Sequence, residues 1–193
     1  MSLLDWHNDK ERGRHPQRRT VPKRMTGSSN KPALRIEPAA ESDVPVILSF
    51  IRKLAEYEKL SHLVVATEEG IREHVFAANP VAEVLLAYWH EEPVGFALYL
   101  RNFSTFLGQA GIYLEDLFVE PEHRGKGIGK ALLVRLAKIA VERGYGRLQW
   151  DVLDWNTPSI EFYRSLGAVP LEEWTTYRLA GEALLRLATE TSH

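Results

Sequence analysis

The chain has 193 residues, 26% of them charged, with a formal net charge of −2, and this length suits one domain with a sizeable core. It contains no cysteine, which excludes a disulfide framework, a thiolate metal site and a cysteine nucleophile. No apolar run approaches the ~20 residues of a membrane span, so no membrane partner is expected and the cytosol is the default compartment.

The charge is unevenly placed. Met1–Pro32 carries eight Lys and Arg against Asp5, Asp9 and Glu11, or +5, which leaves 16 basic and 23 acidic residues, or −7, in the remainder. An acidic body suits a cationic substrate. The extension shows no apolar period, is rich in Arg, Ser, Asn and Pro, and reads as disordered or loosely attached. Nucleic-acid binding by it is a weaker reading than a solvated tail or a mis-chosen start codon. Its acidic residues and lack of an amphipathic face argue against an organelle presequence. One domain is expected over 33–193, with no internal repeat.

In chain order, 33–37 is a short first strand. Ser42 or Asp43 can cap a helix in which Val44, Ile47, Leu48, Ile51, Leu54 and Ala55 recur at helical spacing, with Pro45 tolerated in its first turn. Thr67 starts a second helix over 68–77. Strands at 81–89 and 94–100 form a hairpin around Glu91-Glu92-Pro93. The stretch 103–111 is a loop and 112–119 the next strand. A helix over 131–143 is closed by Gly144. A strand at 147–153, a helix at 158–166 closed by Gly167, a strand at 174–179 and a terminal helix over 182–189 complete the order.

The stretch that organises the chain runs from Tyr113 to Lys130. An apolar run, Tyr113-Leu-Glu-Asp-Leu-Phe-Val119, ends at Glu120-Pro121 and becomes the basic glycine loop Arg124-Gly-Lys-Gly-Ile-Gly-Lys130. Strand, glycine loop and helix together hold a phosphate, because glycines let the backbone approach and N–H groups at the helix start face the anion. Arg124, Lys126 and Lys130 add positive charge there. It is not a P-loop, since no Gly-Lys-Ser/Thr follows at the required distance. Its three basic groups and mid-chain place also make it a poor Rossmann turn.

Arg-x-x-Gly-x-Gly directly after Leu-Glu-Asp-Leu-Phe-Val resembles the pyrophosphate loop of the GCN5-related N-acetyltransferases. Ile51-Arg-Lys-Leu-Ala-Glu-Tyr-Glu-Lys-Leu-Ser61, Leu153-Asp-Trp-Asn156 and Phe162-Tyr-Arg-Ser-Leu-Gly-Ala168 resemble the spermidine/spermine branch, and the Leu-Asp-Trp-Asn form is similar to its thialysine-type member. The resemblance covers about Leu34 to Ala188. It departs in the N-terminal extension and in a shorter stretch between Ala168 and Trp174, which puts substrate contacts from Glu172 or Glu173 in doubt. It implies an α/β acetyltransferase fold with a mixed central sheet flanked by helices, acetyl-CoA as cosubstrate and a homodimer.

An amine of the lysine type, with a pKa near ~10.4, is almost wholly protonated at neutral pH, so a base or a local pKa shift must present it neutral. The resemblance implies Glu115 in that role, through water, with Asp116 turned to the opposite face by strand alternation. It implies Tyr163 as the general acid for the departing sulfur. It places the cofactor on Leu117, Phe118 and Val119, on the loop Arg124, Gly125, Lys126, Gly127, Ile128, Gly129 and Lys130, and on Asn156 and Ser159. Tyr57, Glu58, Glu115, Asp116 and Trp155 would line the amine pocket. His62, His74, His90 and His123 lack metal-ligand spacing and read as surface groups, so no metal is expected. The expected activity is acetyl transfer to a small primary amine. The alternatives are a protein or peptide N-acetyltransferase and, from another class, a CoA-binding module or tail-directed nucleic-acid binder without turnover.

Overall fold

The computed structural model describes residues 33–190, so the expectation for the N-terminal extension lies outside the described residues. Five strands form one sheet in the order β1 (Leu34–Pro38), β2 (Glu83–Trp89), β3 (Glu92–Ser104), β4 (Gln109–Val119), β5 (Leu148–Trp150). The first three pairings are antiparallel and β4 pairs with β5 in parallel. This is the expected α/β, mixed-sheet class.

Both faces of the sheet are covered, which explains the unbroken apolar run Val84-Leu-Leu-Ala87 in β2. Leu85 and Ala87 join one core with Ile128, Leu132 and Leu136 of α3 (Ile128–Glu142). Val84 and Leu86 join the other with Ile47 and Phe50 of α1 (Val44–Tyr57) and Ile71 of α2 (Glu68–Val75). The Thr67 side chain caps α2 by accepting the Gly70 N–H at 3.1 Å. Asp43 precedes α1 but turns its carboxylate back to the Ala40 N–H at 2.8 Å.

Four expectations need correction. The loop placed at 103–111 is only the tip of a long hairpin, because β3 and β4 stay paired to Ser104↔Gln109; glycine and polar side chains hid backbone pairing that needs none of them. The helix begins at Ile128, three residues early, since Gly127 at φ 81° already acts as its N-cap. The strand at 147–153 shrinks to three residues, because parallel register ends at Leu114↔Trp150. No strand forms at 174–179; Trp174 is 70% and Tyr177 91% exposed, so the segment has no packed face to hold it extended. The last helices are α4 (Thr157–Ser165) and α5 (Gly181–Thr189).

One irregularity shapes everything beside it. Leu98 pairs with Asp116 while Tyr99 pairs with Leu114, so Glu115 is an extra residue in β4. Before this bulge Leu114 packs on the α3 side; after it, Leu117 does so and Phe118 faces α1. Past the bulge β4 has lost β5, and its edge opens into a cleft. Gly95 lets β3 stay close there, since a Cβ on it would lie 2.6 Å from the Phe118 carbonyl oxygen.

Candidate active site

The cleft is a cavity of about 620 Å³ between the freed edge of β4, the glycine loop and α4. Leu117, Phe118 and Val119 form its strand wall, and Arg124, Gly125, Gly127, Ile128, Gly129 and Lys130 its loop wall. Asn156, Ser159 and Tyr163 close it from the α4 side, and Tyr57 and Glu58 from the end of α1. Glu115 and Asp116 both line it: the bulge breaks two-residue alternation, so the expected separation onto opposite faces does not keep Asp116 out.

Two expected residues stand outside the lining. Lys126 is exposed and places its ammonium 5.4 Å from the Trp89 ring centroid. Trp155 is 51% exposed and leans on the Tyr57 ring at 5.9 Å. Glu172 and Glu173 are exposed in a turn away from the cavity. His62, His74 and His90 are exposed as expected. His123 is not a surface group: it is half-buried, lines the cavity and packs 6.3 Å from Trp89.

Local sequence explains the loop. Gly125 (φ 75°) and Gly127 (φ 81°) are left-handed, the conformation that favours glycine. A Cβ at either would meet nothing within 4 Å, so the loop faces open space where a ligand can approach. Arg124 donates from Nε to the Val119 carbonyl at 3.0 Å and lies over the Tyr57 and Phe118 rings at 4.6 and 5.7 Å. Asn156 caps α4 by accepting the Ser159 N–H at 3.4 Å.

Burial tunes the titratable groups. Asp116 is pushed up to about 7, first by burial and then by the charges of Glu115 and Glu58. Burial also raises Glu58. Tyr163 is pushed up to about 12 by burial, then by Glu58 and Tyr57, and so keeps its proton at neutral pH. Its ring packs against Trp150 and Phe162 at 4.9 and 5.3 Å. Among the described residues no group of three or more His, Asp or Glu is arranged to hold a metal ion.

Sequence reasoning missed Asp151 and Phe162, which also line the cavity. Asp151 accepts the Tyr113 hydroxyl at 2.7 Å; only its place just past β5 hinted at it. Phe162 lies 3.9 Å from where a Gly129 Cβ would stand, so it packs against the first turn of α3.

A strand split from its parallel neighbour, with a glycine loop and helix start at the split, defines a cleft for a long anionic cofactor. Residues 51–168 match the family model described as acetyltransferase (GNAT) family. The chain belongs to that family and is an acetyl-CoA-dependent N-acetyltransferase. It is 42% identical to thialysine N-epsilon-acetyltransferase of Sus scrofa over 164 residues, covering 79% of this chain and 96% of that one. It is 32% identical to L-ornithine N5-acetyltransferase of Arabidopsis thaliana, covering 88% and 93%. Among solved structures it is similar to an integron cassette protein from the mobile metagenome of V. cholerae, with a TM-score of 0.70, 29% identity and coverage of 83% and 100%. The residues present fit acetyl-CoA: an open glycine loop, a basic rim and a free strand edge share one cavity.

Proposed function

We propose that the protein acetylates a primary amine of a small cationic molecule, of the polyamine or thialysine kind, as a cytosolic homodimer. The observation that carries the reading is that Glu58, Glu115 and Asp116 line the same cavity as the glycine loop. A cation entering there meets three carboxyl groups, two of them raised by burial and so gaining from a positive partner. The names of the thialysine and ornithine relatives support the same substrate class.

Acetyl-CoA, when bound, supplies the acetyl group as a thioester. N–H groups at the start of α3, with Arg124 and Lys130, would hold the pyrophosphate. Leu117, Phe118 and Val119 would hold the cofactor along the freed edge of β4, whose backbone N–H groups can polarise a carbonyl. Asn156 and Ser159 would hold the cofactor from the start of α4. Glu115 accepts the amine proton through water. Tyr163 is protonated, as a donor to the leaving sulfur must be. Burial raises the phenol above its ordinary value, which makes full transfer to a thiolate unfavourable, so Tyr163 acts first through a hydrogen bond.

The dimer finds support in the exposed apolar residues Leu171, Trp174, Tyr177, Leu179, Leu184 and Leu185, which a partner surface would cover. The function is tested by measuring acetyl-CoA turnover against polyamines, thialysine, lysine, neutral amines and peptide amines. Preference for small cationic amines is expected. Preference for neutral acceptors or peptides would overturn the reading, and tight acetyl-CoA binding without turnover would mark a binding module.

A further inference from the structure

Three segments distant in the chain converge on Tyr57, the last residue of α1. Its hydroxyl donates to Asn156 Oδ1 at 3.0 Å. Its ring lies beneath the Arg124 guanidinium, 4.6 Å from the centroid, and Arg124 donates from Nε to the Val119 carbonyl. Asn156 Oδ1 also accepts the Ser159 N–H at the start of α4, and the residue is only 7% exposed. An acceptor so enclosed that loses a donor has little water to replace it.

A phenol has a single proton to donate, and here it goes to Asn156 and not into the amine pocket. We infer that Tyr57 is a positioning residue that ties the glycine loop, through Arg124, to the N-terminus of α4, through Asn156, and so sets where α4 holds Tyr163. The inference rests on the proposed acetyl-CoA site. Arg124 commits its Nε to Val119, so an anion is met by its two terminal nitrogens while the ring beneath keeps the fork in place. The same ring passes that placement to Asn156. The two links can be separated. Tyr57→Phe keeps the ring under Arg124 and cuts only the bond to Asn156, whereas Tyr57→Leu removes both.

The test compares the parent, Tyr57→Phe, Tyr57→Leu, Asn156→Ala and the Tyr57→Phe/Asn156→Ala double variant. The readouts are steady-state kinetics with spermidine or thialysine, acetyl-CoA affinity by calorimetry, and thermal unfolding of the ligand-free protein. Tyr57→Phe is expected to lower kcat about tenfold, the worth of one net hydrogen bond, with amine KM and acetyl-CoA affinity within about twofold of the parent. The double variant should fall no further than Asn156→Ala in kcat or unfolding temperature, because both changes cut one bond. Tyr57→Leu should in addition weaken acetyl-CoA binding. A raised amine KM with unchanged kcat in Tyr57→Phe would make the phenol a substrate contact and overturn the inference, as would independent losses in the double variant. A parent that turns over no amine overturns the proposed function and this inference with it. A parent that turns over, with Tyr57→Phe its equal, overturns the inference alone.

Discussion

Trp150 and Tyr163 pack ring to ring, with centroids 4.9 Å apart and planes inclined at 56°. The last residue of β5 thereby fixes the plane in which the phenol of α4 can present its hydroxyl.

This contact makes Tyr163→Phe a clean probe, because the ring and its packing survive while the proton is lost. Turnover should fall by about 10²-fold, the low end for a positioned acid, with acetyl-CoA affinity nearly intact. Rates and calorimetry on the same preparation check it. An unchanged rate would remove the hydroxyl from the chemistry.

Asp116 predicts a pH dependence. Its pKa of about 7 lies above the ordinary 3.8, so the folded protein holds a proton there that the unfolded chain releases. Stability should fall as pH rises between those values, and Asp116→Asn should flatten that slope in unfolding measurements. Ionised Asp116 attracts a cation, so the amine KM should drop as pH rises through about 7. Glu115 is one of the charges that raise Asp116. Glu115→Gln should therefore move this transition to lower pH, as well as lowering the rate.

Gly127→Asp places a carboxylate at a left-handed helix N-cap that faces open space. The fold should lose only about 1 kcal/mol for the backbone conformation. Acetyl-CoA binding should fall by about 10²-fold or more, through like charge and the blocked backbone approach. Calorimetry reads the affinity and thermal unfolding reads the cost. Retained affinity would take the pyrophosphate away from this loop.

Replacing Trp174 and Leu185 together by Ser should weaken self-association, since both side chains are exposed apolar groups outside the core. Analytical sedimentation across a concentration series checks the outcome. A parent that sediments as a monomer at micromolar concentration would set the homodimer aside.

The parts of this fold that were readable are those in which side-chain pattern and backbone agree. The helical spacing from Val44 to Ala55, the Thr67 cap and the run from Tyr113 through the glycine loop each carry their own local reason. Where geometry depends on a distant neighbour, the reading failed. Ser104 and Gln109 extend a hairpin because the opposite backbone is already in register. Asp151, Val152 and Leu153 look like strand but lose their partner at Trp150. Trp174 to Leu179 has strand composition, yet every residue in it is exposed and no face of it is packed. In the site, residues within one motif were legible, whereas the bond from Tyr57 to Asn156 spans 99 positions and no local pattern announces it.

The bulge at Glu115 has a consequence for how this protein can vary. The cleft depends on the number of residues between Leu114 and Phe118 as well as on their chemistry. Deleting one there would restore strict alternation and let β5 run on beside β4, giving a more regular sheet with no room for a cofactor. Insertions and deletions in this strand are therefore a sharper threat to the enzyme than to its folding, and a shortened relative could be sturdy and inert.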